Sequence, residues 1–103
     1  LLRGITPIAA FGHTPGHTVF MVESAGEKLL IWGDLMHAEP IQFPLPNIAV
    51  SYDSDALAAV ISRTRILEYV TANNIPIAGM HLLYPSIGTV SRDGAGYKLT
   101  PAR

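Results

Sequence analysis

Apolar residues fall in short runs broken by glycine and proline, the rhythm of a chain built mainly from strands. Ile5–Phe11, just after Gly4, predicts a first strand. Thr18–Glu23 and Lys28–Trp32 are β-prone runs separated by Ser24, Ala25, Gly26 and Glu27, which predicts a hairpin with a four- or five-residue loop. Both runs are nearly continuous in apolar character, the pattern of a sheet covered on two faces. From Leu35 to Tyr52 the periodicity lapses and Pro40, Pro44, Pro46 and Asn47 predict a long loop. Asp53 or Ser54 is expected to cap a helix over Ala56–Ala72, with Asp55 in its first turn. Leu57, Val60, Ile61 and Leu67 form its expected buried stripe, with Ala59 and Ile66 outside it. Asn73 and Asn74 are a natural stop, and Pro76 prevents continuation. Ile75–Met80 predicts a short strand, Tyr84–Gly88 a turn and Tyr97–Thr100 a terminal strand. The order is β-β-β-α-β-β, a layered α/β arrangement in one domain.

Composition changes this picture in one respect. Only 15 % of the 103 residues are charged, against roughly 25 % in ordinary soluble domains. A small globule exposes much of its surface, so the shortage implies a face meant to be covered. The net charge of −1 and the scattered lysines and arginines argue against nucleic acid or an anionic membrane surface as partner. No run approaches the roughly 18 apolar residues of a membrane span. The chain contains no cysteine, so a metal must be held by imidazole and carboxylate. Compartment is not legible, and cytoplasm and periplasm both remain open.

Three polar positions stand out. Gly12-His13-Thr14-Pro15-Gly16-His17 sets two histidines in a stretch that Pro15 and Gly16 exclude from a helix, so a tight, rigid loop is expected. From spacing alone His13 serves equally as a turn residue or as a ligand. Asp34, after Gly33, follows the Lys28–Trp32 strand; a carboxylate there is costly to bury without a cation or partner, although an Asp starting a loop is common. His81 ends the Ala78-Gly79-Met80 stretch, where a core imidazole bonded to backbone is the plain alternative. Each follows a strand and a nearby glycine. Three such groups on one rim are what a metal site requires, and imidazole plus carboxylate suits zinc, iron, manganese or cobalt.

The His13–His17 loop, Asp34 21 residues after His13, and His81 47 residues after Asp34 together resemble the metallo-β-lactamase superfamily. The resemblance spans the whole chain and is closest to the methyl parathion hydrolase-like branch, more loosely to acyl-homoserine lactonases. Gly33-Asp34-Leu35, Ile41-Gln42-Phe43, Asp53-Ser54-Asp55 and the tail from His81 through Gly96-Tyr97 carry it. It implies the C-terminal half of an αββα sandwich, mainly one β-sheet with one or two helices, so residues 1–103 form a single partial domain. It implies two divalent metals, zinc foremost, in the intact protein. His13 would bind the first metal, His81 the second, and Asp34 would bridge them as the catalytic carboxylate. A metal-bridging hydroxide would then attack an ester, lactone or phosphotriester-type substrate. His17 matches a family position that is usually not a ligand and is expected to pack behind the site and orient a ligand. His37 is expected to face solvent, a place near the metals being the less favoured alternative. Trp32, Gln42 and Phe43 are expected to pack rather than touch substrate.

The family's H-x-H-x-D-H cluster has no counterpart here, since the histidines are His13, His17, His37 and His81. One imidazole per metal and a shared carboxylate predict weak metal binding or none, and no catalysis, in this chain by itself. The missing initiator Met and the early first strand lead us to expect a piece of a longer hydrolase. Its partners would be the absent N-terminal half, a small-molecule substrate, and further copies of itself through an exposed sheet face. A non-catalytic binding or assembly domain is the alternative, and a site completed between two chains is a third.

Overall fold

A computed structural model describes residues 3–102. The eight elements are β1 (Ile5–Ala9), β2 (Thr18–Ser24), β3 (Glu27–Ile31), α1 (Glu39–Gln42), α2 (Ala56–Asn73), β4 (Ile77–Ala78), β5 (Ile87–Asp93) and β6 (Gly96–Pro101). They make one six-stranded sheet in sequence order, antiparallel at each junction except the parallel β3–β4 pair, between which the chain passes through both helices. This is the expected α/β half-sandwich.

The β2–β3 connection is tighter than predicted. Only Ala25 and Gly26 lie outside the strands, both at positive φ (53° and 83°), the geometry of a two-residue hairpin turn. β5 is an element the turn-and-tail prediction did not contain. It pairs with β6 from Gly88↔Pro101 to Asp93↔Gly96, around a turn with Gly94 at φ 59°. The Leu35–Tyr52 loop holds the single-turn helix α1.

The helix is where sequence periodicity misleads. Its buried positions are Ala59, Ser62, Arg63, Ile66, Leu67 and Val70, whereas Leu57 is 71 % and Ile61 58 % exposed. The inward face is therefore rotated from the expected stripe, and it includes the two residues placed outside. Two polar side chains set that phase. Ser62 Oγ donates to Phe11 O (2.7 Å), and Arg63 donates from Nε to Leu35 O (2.9 Å) and from Nη1 to Pro46 O (2.8 Å) and Ile48 O (3.1 Å). Loop carbonyls drawn against the helix need donors, and the helix supplies them. The N-cap is Asp55, whose carboxylate accepts from Ala58 N (3.0 Å), not Asp53 or Ser54. Asn74 ends the helix at φ 52°, as expected of that position.

One face of the sheet is buried. Val19, Met21, Leu30, Ile77, Val90 and Tyr97 form a cluster with Ile66, Leu67 and Val70 of α2 and with Trp32, Leu35, Met36 and Phe43. Full burial of each aliphatic side chain contributes roughly 1.5–3 kcal/mol. On the opposite face, direct pairings align Phe20 with Ile31, Ile31 with Ala78, and Ala78 with Ile87. Phe20, Ile31 and Ile87 remain 37–39 % exposed in this apolar row. Within this chain the strands are thus covered on one side, and the second cover their composition calls for is not supplied by these residues. Among the described residues, no helix is long and apolar enough to cross a membrane.

Candidate metal centre

The parallel β3–β4 pair sets two of the key side chains level with each other. Ile31 and Ala78 are register partners, and Asp34 and His81 each lie three residues beyond them. Trp32 N to Ala78 O (2.9 Å) and Met80 N to Gly33 O (3.2 Å) extend the ladder past the strands proper. Gly79 lies so close to the Trp32 indole that any Cβ there would collide with it, which lets the two strand ends approach. His81 Nε2 thereby reaches Asp34 Oδ1 at 3.1 Å.

His13 arrives from the β1–β2 loop. Gly12, at φ 143°, sits where a side chain would strike the backbone of Ala59, so the loop packs directly on the first turn of α2. Asp55 N donates to Gly12 O (2.9 Å) and Ser54 N to His13 O (3.1 Å), locking the loop there. His13 Nε2 lies 3.5 Å from Asp34 Oδ2. Imidazole, carboxylate and imidazole, far apart in sequence, therefore meet at one rim, with one oxygen of Asp34 toward each ring.

Behind His13 stands a residue that sequence reasoning treated only as a cap. The Asp53 side chain is fully buried, and its Oδ1 lies 3.0 Å from His13 Nδ1. Its Oδ2 accepts from Val50 N (3.3 Å) and faces Arg63 Nη2 at 4.0 Å. With His13 Nδ1–H donated to Asp53, the Nε2 lone pair is left pointing at Asp34, the arrangement that makes an imidazole a good ligand. Burial lowers the pKa of Arg63 and Asp53 opposes that shift; an arginine retains its proton in such a setting. The available signal was Asp53 following a Pro-rich loop with a buried cation ten residues downstream, and periodicity cannot identify that cation as buried.

His17 lies behind the Asp34 backbone. Its Nδ1 bonds to Ala10 O (3.0 Å), and its Nε2 accepts from Asp34 N (3.0 Å), holding the backbone of the carboxylate without presenting itself to the rim. Trp32, Gln42 and Phe43 are buried, as expected.

His37 departs from the expectation of a solvent-facing loop residue. Its ring lies between those of His13 and His81, with centroids 4.4 Å and 4.7 Å away. Gln42 is responsible: its Oε1 accepts from His37 N (2.7 Å) and Ala38 N (2.9 Å), and its Nε2 donates to Ile48 O (2.9 Å), folding the loop back over the rim. Burial, then His13 and His81, lower the His37 pKa, with Asp34 and Asp53 acting in the opposite sense, so the ring is neutral near pH 7 and keeps a free lone pair. Tyr52 stands edge-on to it at 5.2 Å.

The donor set fits divalent metal. Two overlapping trios, His13–His37–Asp53 and Asp34–His37–His81, each present ligand atoms within 4.8 Å of one another. A groove of about 670 Å³ lined by Val60, Ile61, Arg65 and Tyr69 lies along the outer side of α2, away from the cluster, and has no part in this chemistry.

Neither a family model nor a curated protein matches the sequence. Solved structures do. Over its full length the chain is 32 % identical to AidC, a dizinc quorum-quenching lactonase, with a TM-score of 0.95, and spans 35 % of that protein. It is similarly 34 % identical over 99 % of its length to AbOPH, a hydrolase in the β-lactamase superfamily, with a TM-score of 0.93, again spanning 35 % of the relative. An N-acyl homoserine lactone hydrolase shares the fold at 19 % identity and a TM-score of 0.62, over 84 % of this chain and 37 % of its own. The chain thus spans about a third of the length of the proteins it matches.

Proposed function

We propose that this chain, which belongs to the metallo-β-lactamase-superfamily hydrolases, is the C-terminal portion of a metal-dependent hydrolase acting on an ester, lactone or phosphotriester-type small molecule. The observation that carries this is the approach of His13 Nε2 and His81 Nε2 to opposite oxygens of Asp34. In this reading His13 would hold one cation and His81 the other, and the Asp34 carboxylate between the two imidazoles would be shared by both. Zinc is the metal that best suits this thiolate-free donor set. When bound, such metals supply Lewis acidity and lower the pKa of a water they hold toward neutrality.

The protein residues provide the rest. Asp53 keeps His13 in the tautomer with Nε2 forward, His17 holds the backbone of Asp34, and Gln42 holds the loop over the rim. That Asp53, His17 and Gln42 each fix a part of this rim supports an enzyme rather than a binding domain that has lost its metals. The N-hexanoyl-L-homoserine product bound in AidC supports a small acyl substrate for this chain's parent.

The remaining ligands and the substrate walls belong, in this reading, to an N-terminal half that covers the Phe20–Ile31–Ile87 face. The isolated chain is then catalytically inactive and pairs through that face with a second copy, which size-exclusion chromatography with light scattering would detect as a dimer; a monomer at high concentration contradicts the pairing. The hydrolase reading itself is tested upstream. The coding sequence preceding Leu1 should encode H-x-H-x-D-H, and the product should hydrolyse one of the three substrate classes in a zinc-dependent way abolished by Asp34→Ala. An upstream sequence without that motif removes the reading.

A further inference from the structure

We propose that this chain by itself binds one divalent transition-metal ion through Asp34, His37 and His81, His37 being a metal-binding residue outside the ligand set that the family resemblance implies. The inference rests on the reading of this rim as a metal centre and adds a ligand to it. Counting only His13, Asp34 and His81 leaves one imidazole for each ion and a weak hold. The fold changes that count by bringing a third imidazole onto the carboxylate.

Geometry selects the trio. One donor atom each from Asp34, His37 and His81 already lies within 4.8 Å of the others. Ligands at 2.0–2.2 Å from zinc stand about 3.3–3.6 Å apart in a tetrahedral site, so a small rotation of the half-exposed His81 ring closes the distance. Uptake of the ion replaces the proton now shared between His81 Nε2 and Asp34 Oδ1, 3.1 Å apart. The competing trio uses Asp53, whose oxygens are already committed to His13 Nδ1 and Val50 N and face Arg63. The ion therefore goes to the His81 side.

His37 also has the marks of a ring held for a purpose. Its Nδ1 is buried with no hydrogen-bond partner among the described residues, although buried polar atoms are nearly always paired. Its backbone is fixed by the fully buried Gln42, so the ring is delivered to the rim by the core rather than by a loose loop. Two imidazoles and one carboxylate facing solvent make a set suited to zinc, cobalt or iron, with positions left for water.

Cobalt(II) titration of the 103-residue chain, followed by visible absorption and by equilibrium dialysis, tests this directly. One cobalt per chain is expected, displaced by zinc, with His37→Ala and His37→Asn each weakening uptake by about tenfold or more. The metal-free melting temperatures of both variants should lie close to the parent's, because the side chain makes no hydrogen bond among the described residues. Unchanged affinity in both variants overturns the role of His37. No uptake by the chain alone overturns the inference as well. If uptake then appears once the N-terminal half is supplied, the hydrolase reading survives it.

Discussion

The two sides of the metal centre are built differently. On the His13 side every polar group is answered within the chain: His13 by Asp53, Asp53 by Val50 and Arg63, and Arg63 by three loop carbonyls. On the His81 side the ring is about half exposed, its one polar partner among the described residues is Asp34, and its backbone sits in the left-handed region at φ 60°. Around it Met80, Leu83 and Tyr84 are 57–95 % exposed. One side is framework that holds its shape unaided, and the other is working surface that awaits a metal, a substrate or more protein. Substitutions should therefore cost stability on the first side and binding on the second.

The sharpest break in that contrast is Arg63→Ala. It removes three hydrogen bonds to loop carbonyls and leaves the buried Asp53 facing no cation, which should cost about 3–5 kcal/mol in urea unfolding. Asp53→Ala should cost about 2–3 kcal/mol by the same measure. In that variant, nitrogen NMR should find His13 no longer confined to its Nδ1–H form. His17→Ala removes two hydrogen bonds of ordinary strength and should cost about 1–2 kcal/mol, with the Asp34 amide exchanging faster with solvent. His81→Ala should leave stability within about 0.5 kcal/mol while removing cobalt uptake. A large destabilisation by His81→Ala, or a negligible one by Arg63→Ala, would invert the comparison.

Much of the working side was legible in the sequence, and much of the framework was not. Asp34 and His81 could be placed together because strand ends and their glycines are written locally, and the parallel register then sets them level. The β2–β3 hairpin was likewise visible from two apolar runs. Strand β5 was missed although Asp93-Gly94 is a hairpin signal; Ile87–Asp93 alternates apolar and polar residues too mildly to stand out. The face of α2 was misread because Arg63 and Ser62 are polar yet point inward. Their burial is justified only by carbonyls far away in the chain, which no periodicity records. Asp53 was read as a cap for the same reason: its partner lies 40 residues upstream in His13. His37 was expected in solvent because the loop carrying it looks unanchored until Gln42 is seen to be buried.

The centre is tested most directly by anomalous diffraction at the zinc edge from crystals of the protein with its N-terminal half in place. Two peaks flanking the Asp34 carboxylate are expected, one beside His13 and the other beside His81. Zinc found elsewhere, or Asp34 turned away from both ions, would contradict a hydrolytic centre at this rim.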